Sequence, residues 1–397
     1  MLHKNKRINI ISDGQEIINR DIKSKFQREL FDYCLLGKQN GDTKYITDFV
    51  GIISKRDEIL LSIPKHYVPT SDENDIKRIL SLLCKYCFSS GLNDSDGSFT
   101  NMPFNSYMYI CDYYNRFGLY KETYDEYSFS YAGNIHWKKT LNKSEKFISN
   151  GNIVFMPFVV KKNVYYEDLI SESMKYIIND GYEQIGKFLD INILLDDPVI
   201  NIENNLELII DKLYDLKKKT FKDNKLKLLD NIIKYLEWKN ENCEETLFIT
   251  HNFSKVWEDM LKDYLNNSFI GIDSKTNKLL FDKDSKRFRF STQKCYKYGD
   301  WNTIYDYYYE NGSDIYLFDA KYYNFVNDLN YKQVVYDYAT RYRIKDKNKN
   351  IYNYLILPSE KEKVENHVDR SNEDNVKIYE MYLSMNNVIN ELIDIIC

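Results

Sequence analysis

The segment DIYLFDAKYYN, residues 314–324, constrains the fold most strongly, because it has the composition of a buried strand and also carries an acid and a base. Side chains of a strand alternate between its two faces, so Asp319 and Lys321 share one face and the aromatic residues beside them share the other. A carboxylate and an amine on one face of an apolar strand indicate a chemical role as well as a structural one.

A turn signal precedes this strand. Asn311-Gly312 lies between two β-rich runs, which predicts a two-residue β-hairpin. With the turn at these two residues, Asp306 faces Leu317 on the second strand. Asp306 then lies one diagonal step from Asp319, at about 7–8 Å between backbones, on the face that also carries Lys321.

Two carboxylates at this spacing can close on one hard divalent cation. Mg²⁺ takes a few oxygen ligands from a protein and keeps several waters, so Asp306 and Asp319 are its predicted ligands, and the carbonyl of Ala320 is a possible third. Lys321 could orient or deprotonate a water at the metal and stabilise phosphate charge. The predicted chemistry is phosphodiester hydrolysis with a metal as Lewis acid.

Other readings of these residues stay open. An Asp-x-Lys match is common by chance in a chain with 29% charged residues, and the pair could lie on a solvated sheet face. Asp300 has the same strand parity as Asp306, but about 13 Å of strand separates it from the position opposite Asp319. Glu258, on a predicted helix over 252–267, is either a further catalytic acid or a surface partner of a neighbouring lysine.

The hairpin resembles a known group of nucleases. Asp306, Asp319 and Lys321 follow the pattern of the PD-(D/E)xK nuclease superfamily, and YDYYYENGSDIYLFDAKYY is similar to the hairpin of McrC-type nucleases and of the LlaJI restriction-endonuclease family. Four further stretches resemble that group: FVGIISKRDEILLSIPKHY (49–67), GNIHWKKTL (133–141) and the two flanking helices at KVWEDM and YKQVVY. Tyr305 stands where the family often has Pro or Thr, which leaves Asp300 as an alternative to Asp306.

The resemblance implies a nuclease subunit of a nucleotide-dependent restriction system that cleaves double-stranded DNA with Mg²⁺. Such subunits pair with a McrB-like AAA+ GTPase. Asp306, Asp319, Lys321 and Glu258 would form the catalytic set, with Asp306, Asp319 and Ala320 at the metal. The chain itself has no G-x-x-x-x-G-K-[ST] motif, so it is not a P-loop NTPase.

We predict an α/β (α+β) protein in three segments. Residues 1–160 form a β-rich module for binding a partner or DNA, and residues 161–244 form a helical arm or linker. Residues 245–397 form the nuclease domain, a central mixed sheet flanked by helices. Within these segments, GNIHWKKTL is expected to be a strand or an extended segment, and residues 330–344 a helix.

Composition restricts the function less than the motifs do. The net charge is −5, so the chain is not marked as a nucleic-acid binder by charge alone, although a local basic groove remains possible. The odd count of seven cysteines argues against a disulfide framework, and the cysteines of CKYC (84–87) are expected in the core. No signal peptide or membrane span is evident, so a cytoplasmic protein is expected.

Two rival functions remain. The chain could be a self-sufficient type II restriction endonuclease whose N-terminal part reads sequence. It could also be a non-catalytic subunit that stimulates an NTPase and retains only a vestigial Asp-x-Lys strand. Substitution of Lys321 separates the second rival from the nucleases, since an interaction subunit would not need that amine.

Overall fold

The computed structural model describes residues 7–39, 42–55, 58–88, 98–166, 168–189, 191, 193–241, 245–283, 288–298, 301–324, 331–344 and 349–396. The predicted mixed α/β class is confirmed. The strands are β1 Arg7–Ser12, β2 Cys34–Gln39, β3 Asp42–Thr47, β4 Val50–Ser54, β5 Glu58–Ile63, β6 Ser98–Thr100, β7 Glu122–Ser130, β8 Glu145–Ser149, β9 Asn152–Met156, β10 Phe158–Tyr166, β11 Thr246–Thr250, β12 Phe269–Ile272, β13 Leu279–Phe281, β14 Ser291–Tyr298, β15 Trp301–Asn311, β16 Asp314–Ala320, β17 Asn350–Ser359, β18 Lys363–Arg370 and β19 Val376–Ser384.

Helices connect and cover these strands. They are α1 Arg20–Lys25, α2 Gln27–Tyr33, α3 Asp72–Leu83, α4 Phe104–Phe117, α5 Trp137–Lys143, α6 Leu169–Gln184, α7 Leu206–Lys218, α8 Asp223–Glu241, α9 Phe253–Ser268, α10 Tyr331–Arg343 and α11 Met385–Ile396. A π-helical turn, Cys84–Phe88, extends α3. Within the described ranges, no helix is long and apolar enough to cross a membrane.

The chain forms two compact units, and the three predicted segments stay a prediction. One unit combines residues 1–102 with 244–397, and the other consists of residues 103–243. The reason is a long-range strand pairing, because β11 joins the N-terminal sheet between β4 and β6. The N-terminal strands and the predicted nuclease segment therefore belong to one compact unit.

The N-terminal sheet has the order β1-β5-β4-β11-β6. Gly51 makes the close approach of β11 possible, because it has φ +142° and a Cβ there would lie 2.0 Å from the carbonyl oxygen of Phe248. Ile53 and Leu60 on this sheet pack with Leu247 and Phe26 in one hydrophobic core. The segment 246–250 is thus fixed as a strand of the N-terminal sheet before the chain enters α9.

The second sheet of this unit has the order β14-β15-β16-β17-β19-β18. It is mixed, as predicted: β16 pairs with β15 in antiparallel fashion and with β17 in parallel fashion. The parallel pair is joined through α10, which is the usual crossover connection between parallel strands. The sequence pattern predicts no element beyond β17, but the structure contains two further strands, β18 and β19, that complete this sheet.

Each face of the second sheet is covered by different side chains. On one face, Ile315 and Leu317 of β16 pack in a cluster with Tyr336 of α10. On the other face, the ring of Phe318 lies 5.5 Å from that of Phe269, which follows α9. The alternation expected from DIYLFDA is therefore observed, and Asp319 lies on the α10 side of the sheet.

The second compact unit contains the antiparallel pair β7–β10, the hairpin β8–β9 and the helices α4, α6, α7 and α8. The prediction of an extended GNIHWKKTL segment holds for its first half, where Ile135 forms an isolated β-bridge with Val160, and is wrong for its second half, because α5 begins at Trp137. The side chain of His136 caps this short helix by accepting a hydrogen bond from the backbone N–H of Lys139 at 3.2 Å. Local capping therefore decides the conformation, where β-like composition had suggested a strand.

Candidate active site

Asp319 is the centre of the candidate site. It is the penultimate residue of β16, its side chain is only 1% exposed, and it follows the buried apolar run Ile315–Phe318. A carboxylate in such surroundings loses most of its hydration and requires charged or hydrogen-bonding partners. The side chains that supply those partners define the site.

The predicted hairpin is confirmed, but its predicted register is wrong. Asn311 pairs with Asp314, so the two loop residues are Gly312 and Ser313. Gly312 has φ +56°, a left-handed conformation that glycine adopts without strain, and the hairpin closes one residue later than predicted. The ladder ends at Tyr307 opposite Phe318.

This register brings Asp306 next to Asp319 instead of one diagonal step away. A β-bulge also lies at this point of the β14–β15 pair, since β15 advances three residues from Tyr305 to Tyr308 while β14 advances two. Bulges redirect side chains and often occur beside active sites. The Asp306 carboxyl lies within hydrogen-bonding reach of the Asp319 carboxyl.

The proximity of the two carboxyl groups changes the acidity of Asp306. Burial and the neighbouring charge of Asp319 raise the pKa of Asp306 from 3.8 to about 7. The charge of Lys332 lowers the pKa of Asp306, but by less than burial and Asp319 raise it. Two acids that repel each other in a partly buried site form an arrangement that a divalent cation would relieve.

Two lysines contact the same carboxylate. The Lys321 Nζ forms an ion pair with Oδ2 of Asp319, and its side chain is 15% exposed. The Lys332 Nζ, from the first turn of α10, lies 3.3 Å from Oδ1 of Asp319. Lys321 is identifiable from the sequence, whereas Lys332 is not, because a lysine in the first turn of an amphipathic helix has the pattern of a solvent-facing residue.

The other candidates have distinct surroundings. Glu258 is close enough for its charge to raise the pKa of Asp306, yet its carboxylate binds Lys255 at 2.8 Å. The hydroxyl of Tyr307 donates to the backbone carbonyl of Glu258 at 2.5 Å and so ties α9 to β15. Ala320 ends β16 beside Asp319. Asp300 lies outside the described residues, so its role stays a prediction, as does that of Glu258.

The donor set suits a hard cation that binds few protein groups. Among the residues that the structure describes, no group of three or more His, Cys, Asp or Glu side chains is arranged to hold a metal ion. Two carboxylates are nevertheless a sufficient protein contribution for Mg²⁺, which retains several waters. The paired carboxyls of Asp306 and Asp319 therefore fit such an ion.

The N-terminal segment contacts the chain directly after the site. The hydroxyl of Tyr322 accepts a hydrogen bond from the backbone N–H of Lys65 at 2.8 Å, and the Lys65 ammonium lies 4.8 Å from the Tyr322 ring centre. Asp13, which lies 3.9 Å from the Lys65 ammonium, also bonds to Tyr322. The Pro64-Lys65 stretch thus holds the residue that follows Lys321, a connection that sequence reasoning did not find.

Comparison with protein families decides the classification. The family model described as LlaJI restriction endonuclease matches residues 49–395. The chain belongs to the LlaJI restriction endonuclease family. The family match includes both the Pro64-Lys65 segment and the strands that carry Asp306 and Asp319, in agreement with the resemblance seen in the sequence.

Solved structures and curated proteins were also compared with this LlaJI-family chain. One similar structure is a half-complex from a tetradecameric assembly of Thermococcus gammatolerans McrB AAA+ hexamers with bound McrC, at 13% identity and a TM-score of 0.37, covering 98% of this chain and 100% of that chain. Another is the Thermococcus gammatolerans McrBC complex, at 12% identity and a TM-score of 0.27, covering 64% of this chain and 87% of that chain. No curated protein matches the chain.

Proposed function

We propose that this protein is the Mg²⁺-dependent DNA endonuclease subunit of a restriction system. The observation that carries the proposal is the pairing of the Asp306 and Asp319 carboxyls with the Lys321 ammonium at the end of a buried strand. Membership of a family of restriction endonucleases supports phosphodiester hydrolysis as the reaction of this site. The substrate is double-stranded DNA, and the enzyme acts in the cytoplasm.

Asp306 and Asp319 hold the metal in this proposal, with the carbonyl of Ala320 as a further ligand. When bound, Mg²⁺ supplies Lewis-acid polarisation of the scissile phosphate and lowers the pKa of water. Asp306 would have to give up its proton to hold the cation, because only the carboxylate form of the side chain is a metal ligand. Glu258 lies at the edge of the site and would serve as a further acid. To do so, its carboxylate would have to release its ion pair with Lys255.

Lys321 positions the reacting groups in this proposal. Its ammonium lies against Oδ2 of Asp319 and is largely shielded from solvent, so its position is fixed before substrate arrives. A fixed cation beside the metal ligands can orient the attacking water and stabilise the charge that develops on the phosphate. The contacts of Tyr322 with Lys65 and Asp13 hold the backbone just beyond this amine.

A McrB-like AAA+ GTPase is the proposed partner. Support comes from the McrC-like hairpin sequence, and the lack of a P-loop motif in this chain fits a system in which another subunit hydrolyses the nucleotide. The partner would recognise DNA and move along it, while this chain cuts. Residues 1–160 remain the proposed contact region for the partner or for DNA.

Plasmid cleavage by the purified chain in Mg²⁺ tests the proposal. Wild type, Asp319→Ala and Lys321→Ala would be compared, each with and without the neighbouring NTPase and GTP. We expect cutting only with the partner, and a loss of roughly 10³-fold or more in both variants, because each removes several kcal/mol of transition-state stabilisation.

The remaining outcomes identify the alternatives. Cutting by the chain alone would indicate a self-sufficient restriction endonuclease. Unchanged restriction of foreign DNA by cells that carry Lys321→Ala would indicate an interaction subunit without catalysis. No cutting under any condition, with NTPase stimulation intact in Asp319→Ala, would contradict the proposed nuclease.

A further inference from the structure

Lys332 differs from the other charged groups of the site in its exposure. Its side chain is 51% exposed, whereas the Asp319 carboxylate that it contacts at 3.3 Å is 1% exposed. Burial lowers the pKa of Lys332, but the carboxylates of Asp319 and Asp306 outweigh this effect and raise it above its ordinary value. Lys332 is therefore a charged ammonium at the solvent side of the carboxyl pair.

Asp319 has a lysine at each oxygen. Lys321 contacts Oδ2 and is fixed at the end of β16, while Lys332 contacts Oδ1 and reaches the site from α10. A cation that binds Asp319 must compete with one of these two amines. Lys332 is the one that can leave more easily, because its side chain is half-exposed and water can solvate the released ammonium, whereas Lys321 is largely shielded from solvent.

The charges of the site explain why the displaced amine would remain close by. Asp306 and Asp319 oppose Lys321 and Lys332, so these four groups are balanced when both acids are ionised. Addition of a divalent cation leaves an excess of positive charge at the mouth of the site. A DNA phosphate is the anion that this excess attracts, and a lysine ammonium binds phosphate as a flexible point charge with three donors.

We propose that Lys332 occupies the Oδ1 position of Asp319 in the metal-free protein and becomes a DNA phosphate ligand when the metal binds. This inference rests on the proposed nuclease function and adds a substrate-binding residue to it. The ring of Tyr336, whose centre lies 5.3 Å from the Lys332 ammonium, gives the freed side chain a second contact through its face. Lys332 thereby couples metal entry to the capture of DNA.

Lys332→Met, compared with Lys363→Met, tests this inference. Lys363 is a matched control, because its side chain is 52% exposed, it pairs with Glu365 at 2.7 Å, and its ammonium lies 4.2 Å from the Tyr382 ring centre. Binding of Mn²⁺ to the full chain without DNA would be measured by calorimetry. Binding of a DNA duplex would be measured in Ca²⁺ over a range of salt concentrations.

We expect Lys332→Met to bind Mn²⁺ about 2–5-fold tighter, since a competing cation is gone. The same variant should bind DNA more weakly, with the salt slope reduced by about one. Lys332→Arg should restore much of the DNA affinity, and Lys363→Met should match wild type in both assays.

Two results would overturn the inference while leaving the nuclease proposal intact. Unchanged Mn²⁺ and DNA binding in Lys332→Met would exclude both roles. Weaker Mn²⁺ binding in Lys332→Met would show that the lysine supports the carboxylates and does not compete with the metal. By contrast, failure of the wild-type protein both to bind Mn²⁺ and to cut DNA would mean that it behaves like Asp319→Ala in both assays. That result would contradict the proposed function and the inference together.

Discussion

Two acids on the α10 side of the second sheet, Asp337, which is buried, and Asp306, which is partly buried, have opposite surroundings. Asp337, within α10, is paired with Arg341, and the Asn353 amide donates to it at 3.3 Å. Asp306 meets another carboxyl group, that of Asp319. Burial raises the pKa of both acids, but the next largest influence lowers the pKa of Asp337 through Arg341 and raises the pKa of Asp306 through Asp319.

This difference separates an acid that is satisfied within the fold from one that, in the proposed function, binds a metal ion. Asp337 has a cation and amide partners from the protein itself, and Asn353 connects it to Gln333 through a 2.5 Å hydrogen bond. A buried acid of this kind does not require an external ligand. Asp306 is left in electrostatic conflict with its neighbour, which is typical of functional sites. The network around Asp337 also fixes the helix from which Lys332 extends.

The largest expected effect on stability concerns Asp337. Asp337→Ala should lower the free energy of unfolding by about 3–5 kcal/mol, because it removes the buried carboxylate that accepts hydrogen bonds from Arg341 and Asn353. Urea unfolding at pH 7.5 would measure this loss. A decrease below about 1 kcal/mol would mean that the network contributes little, and the contrast with Asp306 would then disappear.

Asp306→Ala should change stability in the opposite direction. The raised pKa means that the folded protein binds this proton more tightly than the unfolded chain does, so ionisation of Asp306 disfavours folding as the pH rises from 3.8 to about 7. Asp306→Ala has no carboxyl group to ionise at this position, so its folding is not disfavoured in this way as the pH rises. At pH 8 without divalent ions, we expect it to be more stable than wild type by roughly 1–3 kcal/mol.

The pH profile is the decisive part of the Asp306 measurement. Urea unfolding in EDTA should show the advantage of Asp306→Ala growing between about pH 4 and pH 7 and then levelling off, as the titration of one carboxyl group requires. Asp337→Ala under the same conditions serves as the comparison. An advantage that is independent of pH would point to a packing effect and would contradict the role of like-charge repulsion.

The residues predicted from sequence were those whose signal is local. An acid and an amine two residues apart in an apolar run identified Asp319 and Lys321, and a glycine-containing turn identified the hairpin. The register was wrong because Asn311-Gly312 and Gly312-Ser313 are both acceptable turns, and a shift of one loop residue changes every facing pair. Asp306 was therefore placed on the correct strand and face, but too far from Asp319.

The features that sequence reasoning missed depend on distant contacts. The pairing of β11 with β4 joins residues that lie almost 200 positions apart in the sequence. The hydrophobic pattern of either strand does not predict which strand it pairs with. Likewise, nothing near Lys332 indicates that α10 packs with its first turn over Asp319. Tyr322 could have been noticed as a tyrosine directly after the Asp-x-Lys motif, but its partners Asp13 and Lys65 could not.

The smallest predicted effect concerns the response to Mg²⁺. A ligand that binds only the folded state at ten times its dissociation constant adds about 1.4 kcal/mol to the free energy of unfolding. Wild type should gain about this much in Mg²⁺ without DNA, because the cation relieves the repulsion between Asp306 and Asp319. Asp306→Ala should gain less than half as much, since one ligand and the repulsion itself are gone.

Thermal unfolding with and without Mg²⁺ would measure this response. Glu310→Ala is a suitable control, because Glu310 is an exposed acid of the same strand that pairs with Lys349 and lies away from the carboxyl pair. Its gain should equal that of wild type. An equal gain in Asp306→Ala would mean that Mg²⁺ binds elsewhere on the chain. Asp306 and Asp337 would then differ only in their effect on stability, and the repulsion at Asp306 would need an explanation other than a metal ion.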